Sequence, residues 1–308
     1  ILIDGSLYGR MLHIINELEL QGKETFILDY IRTYYEFIKR ALNKEIILIG
    51  MSKDSRATVF RDELLKQKLL SLINNLDKDV QLRLIELWEN VKRYPAATLN
   101  KVKSMYKKGI ITDEIYRLFK EVIIQVPDQK IILISKPPIG FSTPLKLSVP
   151  KTLSGVVELL FNRSYQDLSS LVKRIFKQTY AERGDEFIEY AVNIIKLVGE
   201  YPDTLVLYLL FNARDLPIRI DIISRDVSSI PTEDKLKFIS RISPFIFDIV
   251  SFLRSLYGGL KNHNILLDYA DRFVKMHKKS LLEYKKVLEN RLNVFISHSR
   301  GERRVFFP

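Results

Sequence analysis

The segment Glu45–Met51, EIILIGM, is a nearly continuous aliphatic run that ends in the polar loop SKDSRA. Such a run reads as a strand covered on both faces. A shorter run, Ile1–Ile3, stops at Asp4, and Gly5 and Ser6 make the turn into a helix. Between the two runs lie only helical periodicities. Met11, Leu12, Ile15 and Leu18 mark the first, which Gly22 closes; Phe26, Ile27, Tyr30, Ile31, Tyr34, Phe37 and Ile38 line one face of a second over about residues 24–42. Strand, helices, strand requires a crossover, and a crossover leaves the two strands parallel. The chain is therefore expected to be an α/β protein with Asp4 and the SKDSRA loop at neighbouring strand ends.

From residue 58 to about 124 the pattern is helical, with breaks near Asp77, Pro95 and Gly109. Leu64, Leu65, Leu69, Leu72, Ile73, Leu84, Leu87 and Trp88 read as packing stripes, so residues 58–125 form a helical insertion between a first part of the core, 1–57, and its remainder, 126–308. In that remainder KIILIS at 130–135 is a strand candidate, and the prolines of KPPIGFSTPLKLSVPK impose an extended path. Helices are expected over about 152–161, 165–182 and 185–199. DTLVLYLLFNARDLPIRIDIIS then reads as a β-hairpin whose second arm puts Arg219 and Asp221 on one face. A long helix over about 233–257, bent at Pro244 and stopped at YGG, precedes helices through ILLDYADRFVKM and SLLEYKKVLENRL. The chain ends in the basic and aromatic segment SHSRGERRVFFP.

The 49 Lys and Arg exceed the 37 Asp and Glu, for a formal net charge of +12, which favours a polyanionic partner such as nucleic acid or an acidic membrane surface. There is no cysteine, which excludes disulfides, thiolate nucleophiles and Cys-zinc sites. The four histidines, His13, His263, His277 and His298, are scattered and form no HxxxH pair, so a metal would be held mainly by oxygen. No apolar run reaches the roughly 18 residues that span a bilayer, no cleavable signal pattern precedes Ile1, and the simplest address is cytoplasmic.

Asp4, at the carboxyl end of a strand in an α/β sheet, is placed where ligands and metals bind; it could equally cap the helix that starts near Ser6. Lys53 and Arg56 occupy the corresponding loop of the next strand, where cations can hold a phosphate or steady charge on a leaving oxygen, or simply decorate a solvated turn. Asp268 and Asp271 share one helix face, with Arg272 in reach of Asp268; a salt bridge is the commoner use of that spacing, as it is for Arg219 and Asp221.

Taken in order, LIDGSL, ILIGMSKDSRA, the hairpin ending PIRIDI and the helix LLDYADRFVK resemble the NurA nucleases, archaeal and bacterial enzymes with an RNase H-like core that work with the HerA hexameric ATPase. The resemblance implies an RNase H-like mixed sheet flanked by helices. It implies Mn²⁺ or Mg²⁺ held by Asp4 and Asp271, with Lys53 as an active-site residue; Arg56, from its place in the same loop, is expected to add a DNA phosphate contact. The activity implied is 5′ to 3′ exonuclease on duplex and endonuclease on single strands, by a homodimer docked on a HerA-type translocase. In this family the DGSL strand is interior, preceded by an acidic strand and a helix with Glu. Neither stands upstream of Ile1, so the sequence is expected to lack its N-terminal segment. A non-catalytic DNA-binding subunit of the same assembly, or an RNase H-like enzyme acting on RNA, are the alternatives.

Overall fold

The computed structural model describes residues 1–20, 26–149, 165–259, 263–274 and several positions between 283 and 291. The chain divides into two compact units, Ile1–Ser255 and Leu256–Pro308.

The larger unit is built on an open, mixed sheet of six strands: β1 (Leu2–Asp4), β2 (Leu48–Ser52), β3 (Gly140–Phe141), β4 (Leu145–Leu147), β5 (Thr204–Leu210) and β6 (Ile218–Ile223). Their order is β1-β2-β6-β5-β3, with β4 also paired to β5. β1 and β2 are parallel, as the crossover requires, with Asp4 opposite Met51. Every other pairing is antiparallel. β5 and β6 form the expected hairpin, and every residue of both is buried, so the centre of the sheet is covered on both faces.

The crossover consists of α1 (Leu7–Leu20) and α2 (Phe26–Asn43). Leu7, Met11, Leu28, Ile31 and Ile38 from these helices join Leu48, Val206 and Ile223 of the sheet in one core. Leu171 and Val172 of α8 (Tyr165–Ile175) and Phe187 and Ile195 of α9 (Lys177–Lys196) belong to it too. The turn into α1 is packed very closely on β2. A Cβ on Gly50 would stand 2.7 Å from the Gly5 carbonyl oxygen and 2.9 Å from Leu7 Cγ, so only glycine fits beneath the turn. Gly5 itself has φ +98°, a backbone that side chains disfavour.

Residues 59–121 form α3 (Val59–Ile73), α4 (Lys78–Asn90), α5 (Pro95–Lys107) and α6 (Asp113–Glu121), with their own apolar cluster of Leu69, Leu84, Trp88, Val102, Ile115 and Phe119 among others. The breaks fall where the sequence puts them. Asp77 caps α4 by accepting the Asp79 N–H at 2.9 Å, Pro95 opens α5, and Gly109 follows α5 with φ +70°. Buried Arg61 closes the base of this insertion. Its guanidinium donates to the carbonyls of Glu121 and Ile124 at 2.7 and 2.9 Å.

Two expectations are corrected here. Residues 130–135 are not a strand: α7 spans Asp128–Ile134. A short apolar run does not distinguish the two states, and here the buried residues are the polar pair Asp128 and Gln129, whereas Ile134 is 74% exposed. The edge of β5 is taken instead by β3 and β4, from the proline-rich segment. Nor does a helix start at 233. Thr232 bridges to Ile239 across a turn at 234–237, Phe238 bridges to Leu145, and the Lys237 N–H donates to buried Glu63 at 2.7 Å, which fixes this stretch as a tight turn docked on the sheet. After the short α10 (Arg225–Ser229), the next helix is α11 (Pro244–Ser255), and Pro244 begins it rather than bending it.

In the smaller unit, α12 (Ile265–Val274) is capped by Asn264, whose Oδ1 accepts from the N–H groups of Leu266 and Leu267. The helix expected over 152–161 and the terminal segment from 297 lie outside the described residues, as does most of 280–292. Among the described residues no helix is long and apolar enough to cross a membrane.

Candidate functional site

Because β1 and β2 are parallel, their carboxyl ends open on one rim. Asp4 is the last residue of β1, and Lys53 follows β2 two residues beyond the register partner of Asp4. Asp4, Lys53, Asp54 and Arg56 are all exposed. Arg10 joins them. Its side chain turns back from α1 over Gly5 and donates to the Asp4 carbonyl at 2.7 Å, which adds a third cation to the rim. No hydrogen bond or ion pair with another described residue engages the Asp4 carboxylate.

Asp4 is not the cap of α1. That function falls to Ser6 and Asp221. The Gly9 N–H donates to Ser6 Oγ at 2.7 Å, and Asp221 reaches across from β6 to accept from Ser6 Oγ at 2.5 Å and from the Tyr8 N–H at 3.0 Å. Asp221 is fully buried, and Arg219 Nε donates to it at 2.7 Å. The sheet-face ion pair expected from strand alternation is therefore present, and it serves the start of α1 as well.

A second buried carboxylate does the same for the insertion. Asp128 accepts from the Phe60 and Arg61 N–H groups at the start of α3, at 3.0 and 2.9 Å, and from the Tyr208 hydroxyl at 2.6 Å. Burial pushes the Asp128 carboxyl above its ordinary range despite the pull of these donors. The Tyr208 phenol is raised too, by burial and by the charge of Asp128. Since Tyr208 lies opposite Arg219 in the hairpin, the two capped helix starts meet on one polar strip of the sheet.

This strip also fixes the SKDSRA loop. The Asp128 N–H donates to the Ala57 carbonyl at 2.8 Å. The Gln129 amide, itself buried, donates to the Lys53 carbonyl at 2.7 Å and the Pro217 carbonyl at 2.6 Å. The backbone of Lys53 is thus pinned between α7 and the hairpin while its ammonium group stays in solvent. Arg10, Asp128 and Gln129 were not singled out in the sequence. Nothing in the spacing marks Arg10, and a strand reading of 130–135 hid the α7 start that carries the other two.

No family model, curated protein or solved structure matches the chain. The site must be judged on its own geometry. Among the described residues, no three His, Asp or Glu side chains converge as a metal site. Asp4 offers one free carboxylate and Asp54 is exposed in the adjacent loop, whereas Asp221 is committed to Arg219, Ser6 and α1. These residues fit a single carboxylate contact to a cation and fall short of the set that a pair of ions needs. Asp271 is exposed on α12 in the smaller unit, and its neighbour Asp268 pairs with Arg272 at 2.7 Å, as the spacing led one to expect.

Proposed function

We propose that this chain is a NurA-like, metal-dependent DNA nuclease whose reaction centre is the rim of Asp4 and Lys53. The observation that carries the reading is the division of labour between carboxylates: Asp221 caps α1, which leaves Asp4 exposed and uncommitted beside an equally exposed Lys53. Lys53 and Arg56 would hold the phosphodiester, and Arg10 would screen its charge from Asp4. Asp4 would be one ligand of a Mn²⁺ or Mg²⁺ ion, which when bound supplies an activated water; the other ligands would come from outside the described residues.

The open mixed sheet with a parallel β1–β2 pair is compatible with the RNase H-like core that the resemblance implies. The same resemblance carries the polarity of digestion, 5′ to 3′ on duplex with cutting of single strands, a cytoplasmic homodimer and docking on a HerA-type ATPase. A second reading, a DNA-binding subunit without catalysis, is favoured by one observation, that no three acidic or histidine side chains converge among the described residues.

The test is incubation of end-labelled duplex DNA, single-stranded DNA and RNA of one sequence with the purified chain, in Mn²⁺ and in EDTA. The nuclease reading expects DNA to be shortened in Mn²⁺ alone. Binding without cleavage at any Mn²⁺ concentration selects the subunit reading, and preferential cutting of the RNA selects an RNase H-like ribonuclease.

A further inference from the structure

We propose that α5 and α6, the second helical pair of the insertion, carry a binding surface for a single DNA strand, on different elements from the Asp4 rim. The proposal rests on the reading of the chain as a protein that handles DNA. Lys101, Lys103 and Lys107 on α5 and Lys108 at its C-terminal cap are all exposed. None of them has an acidic partner among the described residues. The acids close by are already taken. Of the three on α6, Asp113 pairs with Arg117 at 2.6 Å, Glu114 with Lys68 at 3.0 Å and Glu121 with Arg61 at 2.8 Å. The positive charge of α5 is therefore uncompensated.

Aromatic surface sits within this charge. Tyr106, 39% exposed, stacks on Tyr116 of α6 with centroids 5.4 Å apart and planes 9° from parallel, and the Lys120 ammonium lies 5.5 Å from the Tyr116 ring centre. The short connection over residues 108–112 folds α6 back along α5. Lys103 is one helical turn before Tyr106 and Lys120 one turn after Tyr116, so both fall on the same side of the stacked pair. Lys103 and Lys107 are four residues apart, about 6 Å along the helix axis. The favourable interaction of cations with a helix C-terminus accounts for Lys107 and Lys108, but Lys103 and Lys101 lie further back. Amines spaced along an exposed helix, with a partly exposed aromatic ring among them, suit a sequence-tolerant strand: phosphates on the lysines and a base on Tyr106.

The experiment is fluorescence anisotropy of a labelled oligothymidylate with the full chain in EDTA, which removes cleavage from the measurement, over a range of salt concentrations. The triple variant Lys103→Ser/Lys107→Ser/Lys108→Ser is expected to bind at least about tenfold more weakly at low salt, and the slope of log K against log salt to fall by about two. Tyr106→Ala is expected to weaken binding about fivefold or more, with Tyr106→Phe close to wild type. Emission from Trp88, which packs on Phe119 inside the insertion, checks that each variant keeps its fold. Should the triple variant lose that signal, the single Lys103→Glu change takes its place. Unchanged affinity and slope in a folded variant, no binding by the wild-type chain, or equal competition by polyglutamate would each overturn the proposal. Loss of these effects with cleavage intact rejects the surface alone, and their presence without cleavage rejects the nuclease reading alone.

Discussion

Asp221 and Asp4 both lie near the start of α1, yet their surroundings give them opposite duties. Asp221 is buried among Arg219, Ser6 and the Tyr8 N–H, whereas Asp4 ends its strand in solvent. Breaking a buried pair leaves an uncompensated charge, so Arg219→Met is expected to destabilise the chain by ~3–5 kcal/mol in urea unfolding. Asp128 adds a pH signature. Its carboxyl is raised above the unfolded value, so the folded state holds the proton more tightly and stability falls as pH rises from the ordinary carboxylate range through the raised value. Asp128→Asn cannot titrate. The stability advantage of wild type over this variant, followed by thermal unfolding, is expected to be largest at the acid end and to shrink as pH increases; an advantage that grows with pH would show the opposite shift. The alternation of IRIDI made the Arg219–Asp221 pair legible in the sequence. Asp128 was not legible, because its three donors come from α3 and β5, far away in the chain.

At the scale of elements, the rim depends on how closely the Asp4–Leu7 turn packs on β2. Gly50→Ala would drive a methyl group to 2.7 Å from the Gly5 backbone oxygen, which cannot move without shifting β1. It is expected to destabilise by ~1–3 kcal/mol and to displace the rim, measured as a lower unfolding midpoint together with weaker cleavage. A variant as stable as wild type would mean that the turn sits higher than described. The parallel β1–β2 pair and the β5–β6 hairpin were legible because long β-rich runs, helical crossovers and turn residues all agreed. Where the sequence misled, one local signal stood alone. KIILI was apolar but too short to settle its state, and α7 instead buries its first two polar residues. The stretch from 233 turns back on itself and is held by Leu145 and Glu63, partners that no local pattern reveals.

For the molecule as a whole, a mixed sheet presents the Asp4–Lys53 rim, and a helical insertion with its own apolar cluster is anchored beside that rim through Asp128. The net charge of +12 is a property of the whole chain and was legible at once; that the lysines of α5 have no acidic partner among the described residues required the fold. The central claim is that the Asp4 carboxylate has a chemical rather than a structural duty. It is tested most directly by Mn²⁺-dependent DNA cleavage by wild type, Asp4→Asn and Lys53→Ala side by side, with unfolding midpoints and DNA affinity measured on the same samples. The account predicts that Asp4→Asn abolishes cleavage with midpoint and affinity close to wild type, and that Lys53→Ala slows cleavage by about 10²-fold or more with its midpoint close to wild type. Wild-type cleavage by Asp4→Asn, or loss of its fold in step with its activity, would contradict it.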